Sequence, residues 1–122
     1  MAMYVMGAVL GVKADREDEY LELSRWMNAM FLEYGAIEIA ENWEVDVADG
    51  EQTDFRRAVA AEPDEKIVFS WITWPDKETH DAAHERMMQD ERMQKMPEDM
   101  PFEGKRMIFG GFRNIYHGKK EG

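Results

Sequence analysis

Glu41 is the residue of this sequence whose position best suits proton chemistry. It lies in the stretch 36–47, where apolar residues recur at alternate positions, and it falls on the apolar side of that pattern. Desolvation by apolar surroundings disfavours the charged form of a carboxyl group, which suits it to act as a general base or acid. The alternatives are that Glu41 ends the sheet or pairs with Arg106 or Arg113. We predict Glu41 as the catalytic residue of any reaction in this protein.

Two basic residues, Lys105 and Arg106, follow Gly104 and could hold an anionic ligand. They do not form a phosphate-binding P-loop, because Asp99 stands where its first glycine belongs and Arg106 where its Ser or Thr belongs. A structural salt bridge to the abundant acidic residues is the competing interpretation. We predict Lys105 and Arg106 as ligand-binding residues with that alternative open.

Aromatic residues provide enough apolar surface to line a small-molecule pocket. They include Trp43, Phe69, Trp71, Trp74, Phe109 and Phe112. We predict that Trp43, Trp71 and Phe112 bind the ligand, in a pocket polarised by Glu41 and Arg106. Ordinary packing in the core and between two copies of the chain would explain the same residues.

His80 and His84 have the spacing with which a helix presents two ligands to one metal ion. No third histidine is near them in the sequence, and the residues between them lack the Glu of the zinc-protease pattern. We therefore predict no metal site, and no fingerprint in the sequence indicates a cofactor.

Methionine is abundant in the second half of the chain, at positions 87, 88, 93, 96, 100 and 107. Its flexible thioether side chain can form an adaptable binding surface, and it also fills irregular gaps in hydrophobic cores. The pattern does not decide between these two uses.

Length and charge exclude several classes of protein. The 122 residues suit one domain, which we place at 1–117 with a polar tail at 118–122. The net charge of −11 repels nucleic acids and anionic membrane surfaces, and no stretch approaches the roughly 20 consecutive apolar residues of a membrane helix. The chain has no cysteine, which is compatible with a reducing compartment. We expect a cytoplasmic protein that binds neither nucleic acid nor membranes.

The elements that must position these residues follow the order β-α-β-β-α-β. The pattern predicts strands at 3–12, 36–47, 67–74 and 106–116, and helices that begin at Asp15 and Asp76 as capping residues and end near Gly35 and Asp90. The stretch 58–61 is compatible with a further short strand, and 91–96 with a short helical piece.

The first and third strands are apolar at nearly every position, which indicates that both of their faces are buried. In the β-α-β-β-α-β topology these two strands lie in the middle of the sheet, while the helices cover one face only. The uncovered face therefore needs a partner, and a second copy of the chain is the simplest one. We predict a homodimer.

Four segments of the chain form a distinctive set: Tyr4-Val5 with Gly7, Thr53 to Phe55, Val68 to Ile72, and Met100 to Phe112 with the paired glycines Gly110 and Gly111. Together they resemble the small bacterial family catalogued as domain of unknown function number 1428. The resemblance implies a ferredoxin-like α+β fold with an antiparallel sheet, assembled as a dimeric α+β barrel, and no established reaction. Glu103 stands where that family leads us to expect Asp, and Phe109 where we expect Tyr, which removes a hydroxyl group.

Three functional interpretations remain open, since fold alone does not determine function. The first is a homodimeric protein that binds a small apolar or anionic molecule, with no assignable reaction. The second is a cofactor-independent enzyme of the monooxygenase or isomerase type, with Glu41 as its proton-transfer group. The third is a structural or interaction module whose cavity is filled with side chains. The volume of the cavity separates the third from the other two.

Overall fold

The computed structural model describes residues 2–121, so Met1 and Gly122, at the outer ends of the predicted domain and tail, lie outside the described residues. The four strands are β1 (Tyr4–Lys13), β2 (Glu38–Trp43), β3 (Glu65–Trp74) and β4 (Ile108–Arg113). The α-helices are α1 (Glu17–Glu33), the short α2 (Phe55–Ala58) and α3 (Lys77–Met88). The strands form one antiparallel sheet in the order β2-β3-β1-β4.

The sheet order confirms the predicted ferredoxin-like α+β fold and explains the two apolar strands. β1 pairs with β3 over its whole length, from Tyr4 opposite Trp74 to Lys13 opposite Glu65, and with β4 on its other side. The two central strands are therefore β1 and β3, as predicted. One face of the sheet packs against the helices, where Tyr20 joins Leu10, Val12 and Val68 in a buried cluster.

The helix boundaries agree with the sequence prediction at α3 and differ at the start of α1. The Asp76 carboxylate accepts the backbone N–H of Thr79 at 2.7 Å and caps α3 as predicted. The predicted cap of α1 by Asp15 is wrong, because residues 14–16 form a 3-10 turn and Arg16 occupies the capping position without a side-chain hydrogen bond. Gly35, with φ of 120°, follows Tyr34, the capping residue at the end of α1, near the helix end that the sequence predicts.

The strand β2 is shorter than the alternating pattern at 36–47 predicts. The side chain of Glu44 accepts the backbone N–H of Ile67 at 2.8 Å, so a carboxylate takes a donor of β3 that a longer β2 would bond. Arg56 holds the same carboxylate at 3.2 Å. The chain then leaves the sheet, and Val45 is 94% exposed although it continues the apolar alternation.

Two other predicted segments also differ. The prediction of a further short strand at 58–61 is wrong, because α2 ends at Ala58 and Ala60 adopts a positive φ of 48°. The last strand begins at Ile108 rather than Arg106, since residues 104–106 form a 3-10 turn. The predicted helical piece near residue 91 is confirmed as a 3-10 helix over Glu91–Lys95.

The sheet face away from the helices is apolar and open to solvent. Trp71 lies opposite Gly7 of β1, and the side chain of Phe112 contacts the same glycine position. The side chains of Phe69 and Ile108 are each 44% exposed and that of Phe112 is 62% exposed. We call this surface, formed by Phe69, Trp71, Ile108 and Phe112, the open face.

Candidate functional site

A cavity of about 350 Å³ lies between α1 and the helix-covered face of the sheet. The sheet contributes Met6, Ala8 and Leu10 of β1, Glu41 of β2, and Ser70 and Ile72 of β3. Helix α1 contributes Tyr20, Leu23, Ser24, Met27, Asn28 and Phe31. The segment between α3 and β4 closes a third side with Met96, Met100, Phe102 and Met107, and Phe109 of β4 also lines the space. Methionine, phenylalanine and tyrosine side chains therefore make up half of its lining.

Glu41 is the acidic residue of this cavity, and two neutral donors from α1 hold its carboxylate. The Tyr20 hydroxyl donates to Oε1 at 2.7 Å, and the Asn28 amide donates to Oε2 at 3.0 Å. Each carboxylate oxygen thus has one protein donor and retains lone pairs for a ligand. Glu41 lies opposite Ser70 in the sheet, and Ser70 lines the same cavity.

The electrostatics of the site keep Tyr20 in its donating form. Burial raises the pKa of the Tyr20 hydroxyl well above its usual range, and the neighbouring charge of Glu41 raises it further. Tyr20 therefore stays protonated at physiological pH and donates its hydrogen bond to Glu41. No Lys or Arg is among the described residues that line the cavity.

This arrangement offers a ligand one fixed hydrogen-bond acceptor in largely apolar surroundings. A half-buried carboxylate loses part of its hydration, and the two donors from α1 offset that loss. The remaining lone pairs can accept a hydrogen bond from a bound molecule or take up a proton from it.

The structure places the sequence-predicted site residues in different parts of the molecule. Glu41 lies in the cavity. Trp43 lies on the same sheet face but packs against the buried cluster that contains Leu10 and Val68. Trp71 and Phe112 belong to the open face, on the opposite side of the sheet from Glu41.

The Arg106 side chain pairs with acidic residues other than Glu41. Its guanidinium donates to both oxygens of Glu65, at 2.7 and 2.6 Å, and to Glu103 at 3.1 Å. Hydrogen bonds from Arg106 lower the pKa of Glu65, which is 2% exposed, to about 2. Lys105 is exposed in the adjoining 3-10 turn. This arrangement matches the salt-bridge interpretation, and neither basic residue lines the cavity.

Sequence reasoning missed Tyr20 and Asn28 as partners of Glu41. Both lie on α1, and the spacing of Tyr20, Ser24 and Asn28 by four residues puts three polar groups along one helix face. That spacing was the available signal, because polar atoms within an apolar helix stripe require partners inside the protein.

His80 and His84 have different surroundings in the structure. His80 is held by Asp81, whose carboxylate lies 2.9 Å from Nδ1, and its ring packs against Tyr4 and Trp74. His84 is exposed and lies at the edge of the cavity. Over residues 2–121 no group of three or more His, Cys, Asp or Glu side chains is arranged to hold a metal ion.

Comparisons with known proteins agree with this architecture. Residues 3–104 match the family described as "Protein of unknown function (DUF1428)". The uncharacterized protein YbaA of Escherichia coli strain K12 is 53% identical over 112 residues, which cover 92% of this chain and 96% of YbaA. YbaA of Shigella flexneri gives the same identity and coverage.

Among solved structures, a putative antibiotic biosynthesis monooxygenase from Bacillus cereus superposes with a TM-score of 0.56. The superposition covers 98% of this chain and 100% of that one, at 11% sequence identity. At this identity the likeness concerns the fold alone. In residues 2–121, no helix combines the length and the apolar character required to cross a membrane.

Proposed function

This chain belongs to the DUF1428 family, as the resemblance predicted, and from that premise we propose that it binds a small, largely apolar molecule in the cavity beneath α1. The observation that carries the proposal is the Glu41 carboxylate, held by Tyr20 and Asn28 inside an otherwise largely apolar space. In this account Glu41 is the polar anchor of the ligand.

The cost of building such a cavity supports a binding role. An unfilled space deprives its lining side chains of packing contacts, and a carboxylate placed there loses water. A module selected only for packing would fill the position of Glu41 with an apolar side chain. The open volume of about 350 Å³ therefore favours a ligand over the filled-cavity interpretation.

A cavity-filling variant tests this proposal. Ala8 lines the cavity floor, so Ala8→Phe places a ring in the space that the ligand would occupy. The neutral fluorescent probe N-phenyl-1-naphthylamine should bind the wild-type protein and bind Ala8→Phe at least tenfold more weakly, by an estimate of roughly 1.4 kcal/mol. The matched control is Ala82→Phe, on the exposed side of α3. Equal binding to all three proteins would locate the probe elsewhere and refute the proposal.

Proton transfer without a cofactor is the second candidate, and the carboxylate lone pairs of Glu41 that Tyr20 and Asn28 leave free are the observation that favours it. Glu41 would take a proton from an acidic C–H bond of the bound molecule and return it to the same carbon or a neighbouring one. In heavy water, the protein should accelerate deuterium exchange at the α-carbon of 2-tetralone by about a hundredfold, as general bases do. Glu41→Gln should abolish the acceleration. Exchange at the uncatalysed rate in the wild-type protein would reject this candidate.

We infer further that the chain forms a homodimer through the open face and functions in the cytoplasm. Exposed aromatic side chains in one continuous surface are typical of an interface, and Phe112 and Phe69 supply them here. The absence of cysteine from the sequence is compatible with a reducing compartment.

A further inference from the structure

Four largely buried carboxylates among the described residues each have an arginine partner, whereas the partners of Glu41 are neutral. The side chains of Glu65, Asp90, Asp54 and Glu44 are at most 12% exposed, and each has an arginine within 3.4 Å. The half-buried Glu41 instead has two neutral donors, Tyr20 and Asn28. The chain supplies a counter-charge to those four carboxylates and leaves this one uncompensated among the described residues.

Neutral donors do not remove the charge of a carboxylate. They replace part of its lost hydration, but they add no opposite charge. The cavity wall offers no Lys or Arg among the described residues, and His84 lies at the exposed edge. A cationic ligand can therefore supply the opposite charge that the lining residues do not.

On this basis, and resting on the proposed binding function, we propose that the ligand is an amphiphilic amine whose cationic nitrogen pairs with Glu41. The ammonium group would donate to the free lone pairs of the carboxylate, while the apolar body would lie among the methionine and aromatic side chains.

The rest of the cavity suits a molecule of this kind. Aromatic rings attract cations through their π faces, and Tyr20, Phe31 and Phe102 line the space. Methionine side chains adapt to irregular apolar shapes, and Met27 and Met107 are among those present. The net charge of −11 also raises the local concentration of cations around the protein. The Glu41 carboxylate would repel an anionic ligand, and no Lys or Arg among the described lining residues would offset that repulsion.

Three probes that share a naphthalene body and differ in head group test the inference. They are 2-naphthylmethylammonium, 2-naphthylmethanol and 2-naphthoate, each titrated calorimetrically into the wild-type protein. We expect the ammonium to bind at least about tenfold more tightly than the alcohol, because a charge-assisted hydrogen bond is stronger than a neutral one. We expect 2-naphthoate to bind more weakly than both.

Glu41→Gln isolates the contribution of the carboxylate. This variant should lose the preference for the ammonium and keep binding of the alcohol within about threefold, since the shape of the side chain is retained. Glu38→Gln is the matched control, because Glu38 is an exposed residue of the same strand and its loss changes the net charge equally. Glu38→Gln should retain the preference.

The outcomes separate this inference from the proposed function. Equal affinity of the wild-type protein for all three probes would refute selection of an amine and leave the binding cavity in place. Retention of the preference in Glu41→Gln would assign it to the general field of the protein and overturn the pairing with Glu41. Failure of all three probes to bind the wild-type protein would refute both the binding function and the inference.

Discussion

The Glu41 carboxylate is defined by its two neighbours on α1 as much as by its own position in β2. Its place on the apolar side of a strand could be predicted, because side chains alternate strictly along a strand. Its hydrogen bonds to Tyr20 and Asn28 could not, because they depend on how α1 is rotated and placed over the sheet. Residue spacing fixes which side chains share a helix face but not which strand that face meets.

Replacement of Tyr20 by phenylalanine tests the first of these hydrogen bonds. Tyr20→Phe removes the donor to Glu41 Oε1, and hydrogen bonds to charged groups contribute about 1.5–3 kcal/mol, so we expect a loss of stability of about 2 kcal/mol in urea unfolding. Tyr116→Phe is the control, since Tyr116 is 82% exposed. Equal stability of Tyr20→Phe and the wild-type protein would contradict the role of this hydrogen bond.

The same residue gives the protein a defined response to alkaline pH. The folded state raises the pKa of Tyr20 above the value of about 10 that the unfolded chain has, so the unfolded state releases this proton first as the pH rises. The contribution of Tyr20 is therefore complete below about pH 10 and is lost above it. Stability measured from pH 9 to 11 should fall less steeply in Tyr20→Phe than in Tyr116→Phe. Parallel profiles would contradict this assignment.

At the scale of elements, the order of strands and helices could be predicted, and the ends of several could not. The two strands that are apolar on both faces, β1 and β3, indicated the centre of the sheet and hence its order. The end of β2 depends on Glu44, whose side chain bonds to the backbone of Ile67, and no local pattern reports that contact. Propensity likewise gave no sign of the positive φ at Ala60.

The junction after α1 provides a prediction at this scale. Gly35 has φ of 120°, a conformation that side chains rarely adopt, and a Cβ there would lie 2.7 Å from Thr79 Cγ2 of α3. Gly35→Ala should therefore destabilise the protein by about 2 kcal/mol or more in urea unfolding, within the usual cost of backbone strain. Gly104→Ala is the matched control, because nothing lies within 4 Å of its Cβ position. Similar stability of the two variants would contradict the strain at Gly35.

At the scale of the whole molecule, the sheet divides the predicted site residues between two surfaces. Glu41 faces the cavity beneath α1, whereas Trp71 and Phe112 belong to the open face. The register between strands decides this division, because a shift of one residue moves a side chain to the opposite face. Register between strands that are far apart in the sequence cannot be read from composition or periodicity, so the sequence prediction joined residues of both surfaces in one pocket.

A substitution in the open face tests the proposed homodimer. Phe112→Asp puts a charge into the apolar surface that we propose as the dimer interface, so the variant should sediment as a monomer where the wild-type protein sediments as a dimer. Leu21→Asp is the control, since Leu21 is an exposed residue of α1 and carries the same change of charge. A wild-type protein that sediments as a monomer would reject the dimer, and a dimeric Phe112→Asp variant would place its interface elsewhere.

The central claim is that a small molecule occupies the cavity beneath α1, and methyl NMR of protein with 13C-labelled methionine tests it most directly. Methionine methyl groups probe both the cavity and the outer surface. The cavity is lined by Met6, Met27, Met96, Met100 and Met107, whereas Met88 is 79% exposed on α3. Titration with 2-naphthylmethanol should shift the cavity methyl signals in a saturable manner and leave Met88 unchanged. Saturable shifts confined to methionines outside the cavity, or no shifts at the solubility limit of the probe, would contradict the account.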